Sequence, residues 1–471
     1  MTRLLTTAEV ARRLDVQPAT VYAYVSRGLL TNVGGRRASR FAQDEVDRLV
    51  RRGREGRRPS GAIERIHTGI TLLTEDGPAY RGWPVAQLLD RPVEAVAYLL
   101  WTGSLGAGEP FGPPAELVDV AARAAAALPA SARLVDRLRV AVAAASAVDP
   151  LRHDLDPAAV VRRAETILAL AVDALARTAS RPGDAAGGTA PPVDQPDAAL
   201  AGGADLLDGA ALPDGATLPD GTTLPDGATM DGAATDAHGA NPPGGGILSG
   251  AAGLPGGGSL AARLWPALAG RRATPEQERL LNTVLIVLAD HDLAVSTLAA
   301  RVAASARANP YAVVSAGLGA LDGPQHGAAS TLAHRFLAEA LTDPVAALAE
   351  RLRTGSPIPG FGHRVYRNRD PRTALVLDRL ADGPVRAAVE AVAAPLAGRP
   401  GGFPNVDLAL AAVVHAHGLR PDAGEAIFAV ARTVGWIAHA LEEYAEPGLR
   451  FRAEGVYTGP VPDGGRVATL R

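Results

Sequence analysis

Between residues 181 and 258 the chain turns abruptly to Gly, Pro, Ala, Asp and Thr, and this stretch limits what the remainder can build. It holds three tandem hexamers, residues 212–217, 218–223 and 224–229, each beginning Leu-Pro-Asp-Gly. With so few large apolar side chains it cannot repay the entropy of ordering, and it is expected to be disordered. Three hexads are too few to bury the core of a solenoid. The apolar patterns on either side must therefore form one fold from two pieces, with 181–258 looping out as an insertion.

A length of 471 residues suffices for two or three domains and a large buried core. Cysteine is absent, which excludes disulfides, thiolate catalysis and Cys-ligated zinc or iron–sulfur sites and suits a cytoplasmic protein. No apolar run reaches the ~20 residues that span a bilayer. The N-terminus is polar and charged, unlike a signal peptide, so a soluble, unexported protein is expected. All 47 basic residues are arginine, in a background rich in Ala, Gly and Pro that suggests a GC-rich genome. Arginine content alone therefore says little about nucleic acids. Its distribution says more: residues 1–58 carry thirteen Arg against six Asp and Glu, a net +7 within a chain of net −3.

That basic segment, residues 1–58, has the pattern of a helix-turn-helix. Thr7 can cap a helix through Leu14, Asp15-Val16-Gln17 forms a turn, Pro18 opens a second helix over 19–27, and Gly28 ends it. Val10, Leu14, Val21 and Val25 recur at helical spacing and would share a miniature core. Gly34-Gly35-Arg36-Arg37 reads as a wing, followed by a third helix over 44–54. The segment resembles the MerR and excisionase type of DNA-binding domain. The resemblance implies that Gln17, Thr20, Tyr22 and Arg27 face a DNA groove while Arg36, Arg37 and Arg40 meet phosphates. A structural module that holds a dimer or docks a partner would carry the same pattern.

The remainder reads as almost wholly α. Helical patterns cover 84–89 and 93–101, preceded by a β-like run at 70–74; beyond residue 260 one long pattern runs over 276–306 and contains His291. The chemistry concentrates in Pro359-Gly360-Phe361-Gly362-His363-Arg364-Val365-Tyr366-Arg367-Asn368-Arg369-Asp370-Pro371-Arg372. Glycines allow bare backbone to approach a ligand, an imidazole can act as acid or donor near neutral pH, and guanidinium forks match carboxylates and phosphates. Handling of an anionic substrate follows.

This segment resembles the signature of the citrate synthase family, Gly-aromatic-Gly-His followed by Asp-Pro-Arg. Three further similarities follow the family order: 321–329 (Leu-Asp-Gly-Pro-Gln-His-Gly-Ala-Ala), 403–407 (Phe-Pro-Asn-Val-Asp), and 428–439 with Tyr457-Thr458-Gly459. Tyr80-Arg81-Gly82 and the helix over 97–101 match more loosely. The resemblance implies an all-α fold. Its large helical domain would be assembled from 59–180, 259–326 and 426–471, and a small domain at 327–425 would leave an active site in the cleft between the two.

It also implies roles. Asp407 would be the base that takes the α-proton of acetyl-CoA, although an Asp at that point could equally cap the helix that follows. His326 would hydrogen-bond the thioester oxygen, and His363 the oxaloacetate carbonyl; neither is spaced with acidic partners as a metal site would be. His291, Arg372, Arg432 and Arg452 would bind oxaloacetate, Arg452 from the other subunit of a homodimer. Pro359, Gly360, Phe361, Gly362 and Arg367 would meet CoA. No metal or permanently bound cofactor is implied; acyl-CoA is a co-substrate. The chain departs from the family pattern at Ala294, at Ser330-Thr331 and at Phe451, which leaves propionyl-CoA and the 2-methylcitrate reaction open. A transcriptional regulator sensing CoA or citrate through such a domain is the alternative that the N-terminal module keeps in view.

Overall fold

The computed structural model describes residues 4–14, 21, 24–25, 30–34, 39–43, 45–46, 66–179 and 258–451. The expected insertion lies, except for Gly258, outside these residues. The chain divides into two compact units, 1–68 and 69–471.

In the first unit, strand β1 (Leu4–Thr6) leads directly into the helix Thr7–Leu14 and pairs antiparallel with β2 (Arg40–Ala42), placing Leu5 opposite Phe41. Leu5, Val10, Val21, Leu30, Phe41 and Val46 form its core, with Val25 packed beside them. The cap is Thr6 rather than Thr7. Its hydroxyl accepts the Glu9 amide at 3.2 Å while the Glu9 carboxylate accepts the Thr6 amide at 2.7 Å, a reciprocal pair that satisfies two otherwise orphaned donors. The β1–β2 pair was not expected from the sequence, because three-residue strands carry too little alternation to be seen.

Among its described residues the second unit is helical apart from one small antiparallel sheet, β3 (Thr71–Thr74), β4 (Gly77–Tyr80) and β5 (Trp83–Pro84). Its organising element is the helix Ala423–Ala445, buried on nearly every face along its first four turns. A helix apolar all round must be surrounded, and it packs against the helices Val93–Thr102, Pro157–Ala179, Pro275–Leu288, Val295–Ser305 and Pro310–Leu321. Trp436 crosses Gly317 so closely that a Cβ there would lie 2.5 Å from the indole. Gly317→Ala is therefore expected to cost about 1–3 kcal/mol through overpacking, read as a lower urea midpoint with the m-value unchanged. Among the described residues no helix is long and apolar enough to cross a membrane.

Two helical expectations need correction. Residues 84–89 form only a 3-10 turn, Val85–Gln87, and the pattern over 276–306 is two helices, Pro275–Leu288 and Val295–Ser305. The break occurs because carbonyls at the end of the first helix are captured from elsewhere. The Tyr80 hydroxyl donates to Ile286 O, the Arg432 Nε–H to Leu288 O, and the Gly435 amide to Ala289 O. Asp292 then adopts a left-handed φ of 54°, turning the chain. The turn carries His291.

Candidate active site

The glycine-rich turn at 359–363 is held against the start of the helix Val406–His417. Gly362 N–H donates to Phe403 O, Asn405 N–H to Gly360 O and Asn405 Nδ2 to Gly362 O, each at 2.9 Å. Gly360 (φ 80°) and Gly362 (φ 72°) sit where side chains are strained, and a Cβ on Gly360 would fall 2.8 Å from that of Leu408. The turn thus fixes His363 beside the segment that carries Asp407.

Asn405 also caps the helix, its Oδ1 accepting the amides of Asp407 and Leu408 at 3.0 and 3.3 Å. Asp407 is therefore relieved of the capping role, and its carboxylate makes no hydrogen bond among the described residues. It retains a little accessible surface. Burial pushes it up to about 6, against the opposing pull of Arg372 and Arg432.

Burial lowers all three histidines toward the neutral form. His363 Nδ1 accepts the amides of Val365 (3.0 Å) and Tyr366 (3.2 Å), so the ring proton resides on Nε2. His326 Nε2 meets Ser296 Oγ at 2.7 Å, and its ring packs edge-on to Phe428. Burial first, then Arg432, lowers His326 to about 4; burial and Arg372 do the same to His363. His291 is buried, hydrogen-bonded through Nε2 to the Tyr366 hydroxyl at 3.2 Å and edge-on to His363 at 5.2 Å between centroids. Burial, Arg372 and Arg432 hold it well below the ordinary histidine value.

The two inner arginines differ. Arg372 is already committed, bidentate to Asp370 at 3.0 and 2.8 Å, while Asp370 also accepts the Val406 amide. Arg432 lies over the Phe428 ring, and although its Nε is used, its buried Nη1 has no hydrogen-bond partner among the described residues. A buried guanidinium nitrogen left open is costly unless a ligand completes it. Arg367 is exposed and without an ion-pair partner among the described residues. It lines a hollow of about 530 Å³ with Tyr366, Asn368 and the β3–β4 tip at Glu75 and Asp76.

Thus His291, His363, Arg372 and Asp407 gather around the 359–372 and 403–407 segments, and Arg432 links them electrostatically to His326. Arg452 lies outside the described residues, as do Gln17, Thr20, Tyr22, Arg27, Arg36 and Arg37. Arg40 is half-buried in β2, its amide donating to Asn32 Oδ1. Sequence reasoning missed Ser296, Phe428 and Tyr366. Only Tyr366 gave a signal, standing three residues after His363 within the glycine–arginine segment. Among the described residues no group of three or more His, Asp and Glu could hold a metal ion.

A family model described as "Citrate synthase, C-terminal domain" matches residues 62–453, and one described as "Helix-turn-helix domain" matches residues 4–54. Citrate synthase of Acidithiobacillus ferridurans is 34% identical over 215 residues, 43% of this chain and 55% of that protein. Citrate synthase 2 of Bacillus subtilis is 34% identical over 205 residues, covering 41% and 54%. The chain thus aligns with about half the length of these curated relatives. Among solved structures, citrate synthase from Thermotoga maritima superposes with a TM-score of 0.58 at 21% identity, over 87% of this chain and 99% of that one. Citrate synthase from Thermoplasma acidophilum, in a ternary complex with carboxymethyl coenzyme A and oxaloacetate, gives 0.59 at 22% identity, over 85% and 95%.

Proposed function

This chain belongs to the citrate synthase family, and we propose that it condenses an acyl-CoA with oxaloacetate. Asp407 takes a proton from the carbon next to the thioester carbonyl. His326 donates to the thioester oxygen as enolate charge develops there, with Ser296 fixing its ring. The enolate carbon attacks the keto carbon of oxaloacetate, whose oxygen takes the His363 Nε2 proton as it becomes a hydroxyl. Water then cleaves the thioester, releasing CoA and the citrate-type acid.

Oxaloacetate would place one carboxylate on the open Nη1 of Arg432, beside His291. Arg372 would serve the second while keeping Asp370 as its support. Arg367, with the backbone of residues 359–362, would receive CoA phosphates from the exposed side. Segment 327–425 would close over bound substrates as the small domain. Arg452 would reach the site from the other subunit of a homodimer, and the helix-turn-helix domain would bind DNA.

The observation that carries this reading is Asp407: a carboxylate raised to about 6, with Asn405 doing the capping and no hydrogen bond of its own among the described residues. A sensor needs the arginines but has no use for such a base, so catalysis is favoured over the regulator reading. The test is thiol release from acetyl-CoA and from propionyl-CoA in the presence of oxaloacetate, which also decides the acyl group. Turnover with either supports the proposal. Tight CoA binding with no turnover would favour the sensor.

A pH dependence follows. Asp407 acts as its carboxylate, so kcat should fall as pH drops through about 6, by about tenfold per pH unit below it. His326 and His363, lowered to about 4, stay neutral across that limb and do not contribute to it. A kcat profile flat from about pH 7 to 5 would contradict the assignment.

A further inference from the structure

The turn that carries His291 is built around Asp290, a fully buried carboxylate that neither the sequence reading nor the proposed mechanism uses. Its Oδ2 accepts the Thr71 hydroxyl at 2.5 Å and the Asp292 amide at 3.1 Å, so the side chain spans the two residues flanking the imidazole. Its backbone is pinned as well, because the Asp290 amide donates to the Tyr80 hydroxyl at 3.2 Å. Gly435 has no Cβ where one would collide with Asp290 Oδ1 and Ala289 O, so the central helix is shaped to admit this carboxylate.

The third partner is His439, also fully buried, whose Nε2 lies 3.4 Å from Asp290. Its tautomer follows from the other side of the ring. Arg301 Nη1 lies 2.9 Å from His439 Nδ1, and a guanidinium can only donate, so Nδ1 is the acceptor and the proton is on Nε2, pointing at Asp290. Arg301 is itself held by Glu442 at 2.9 Å and Glu443 at 3.0 Å. A continuous polar chain thus runs from two glutamates through Arg301 and His439 to Asp290 and the turn that holds His291.

We propose that Asp290 is a positioning residue for the dicarboxylate pocket: anchored by Thr71, His439 and the Asp292 amide, it fixes the turn that presents the His291 imidazole to substrate beside Tyr366 and His363. Thr71 stands on the small sheet and His439 on the central helix, so the device ties both to the site. The inference rests on the oxaloacetate reading for the identity of the ligand.

The test is D290N in the full-length chain, a change that keeps size and one acceptor but removes the charge. Oxaloacetate affinity, measured by calorimetric titration, should weaken roughly tenfold, as for other residues that orient a binding group, while acyl-CoA affinity is unchanged. Equal oxaloacetate affinity in variant and wild type would overturn the inference, and so would a parallel loss of both affinities, the mark of a general structural defect. Histidine-ring 1H–15N spectra taken without ligand separate this from the functional reading. His439 should show the Nε2–H tautomer, and in D290N the His291 signals should shift while those of the stacked pair His334 and His415 do not. Unmoved His291 signals overturn the positioning role whatever the ligand. Wild-type protein that binds no oxaloacetate, with His291 signals that do shift, would instead sink the functional reading alone. If D290N does not fold, T71V takes the same measurements, with a loss of about threefold expected and unchanged values overturning the inference.

Discussion

Replacing Asp407 with asparagine should lower kcat by about 10²–10⁴-fold, the range for loss of a general base, while oxaloacetate affinity stays within about threefold of the wild type. The size of the effect follows from what Asp407 does not do. Asn405 caps the helix and the turn at 359–363 is fastened by backbone and by Asn405, so the carboxylate can be neutralised without releasing either. The variant should also melt no lower than the wild type, since removing a charge that burial disfavours costs the fold nothing. A drop in melting temperature with affinity lost in proportion would mark Asp407 as structural.

Arg432→Lys should act on binding instead. Lysine keeps the charge but loses the fork that spends Nε on Leu288 O while leaving Nη1 open. Truncating one partner of a buried charge pair costs roughly 2–4 kcal/mol, so the oxaloacetate dissociation constant should rise about 30- to 1,000-fold. The kcat at saturating substrate should change far less. Leu288 O must then find another donor, so a modest fall in stability is also expected, read by thermal unfolding with and without oxaloacetate. Unchanged affinity would show that the open nitrogen is not a carboxylate seat.

These two residues also show what could be read from the sequence and what could not. The 359–372 segment announces itself because glycines and arginines at fixed spacing have few structural uses in combination, and the all-α pattern follows from helical periodicity. Asp407 was ambiguous because Asn405 and Asp407 are both competent caps two residues apart, and only the hydrogen bonds assign the role to Asn405. The break at 289–294 was invisible because it is imposed by Tyr80 and by Arg432 and Gly435, distant in sequence. Ser296 was missed for the same reason: its partner His326 lies thirty residues away and on another element. The Thr6 cap, by contrast, was missed by one residue, within the ordinary uncertainty of helix ends.

In the proposed reaction the first step is removal of a proton from the acyl carbon by Asp407, before the new carbon–carbon bond forms. Mass spectrometry of the condensed acid made from acyl-CoA fully deuterated at that carbon tests it directly. The product should carry one deuteron fewer than the acyl group supplied, with its formation abolished or nearly so in D407N. The same product formed by D407N as fast as by the wild type would contradict it.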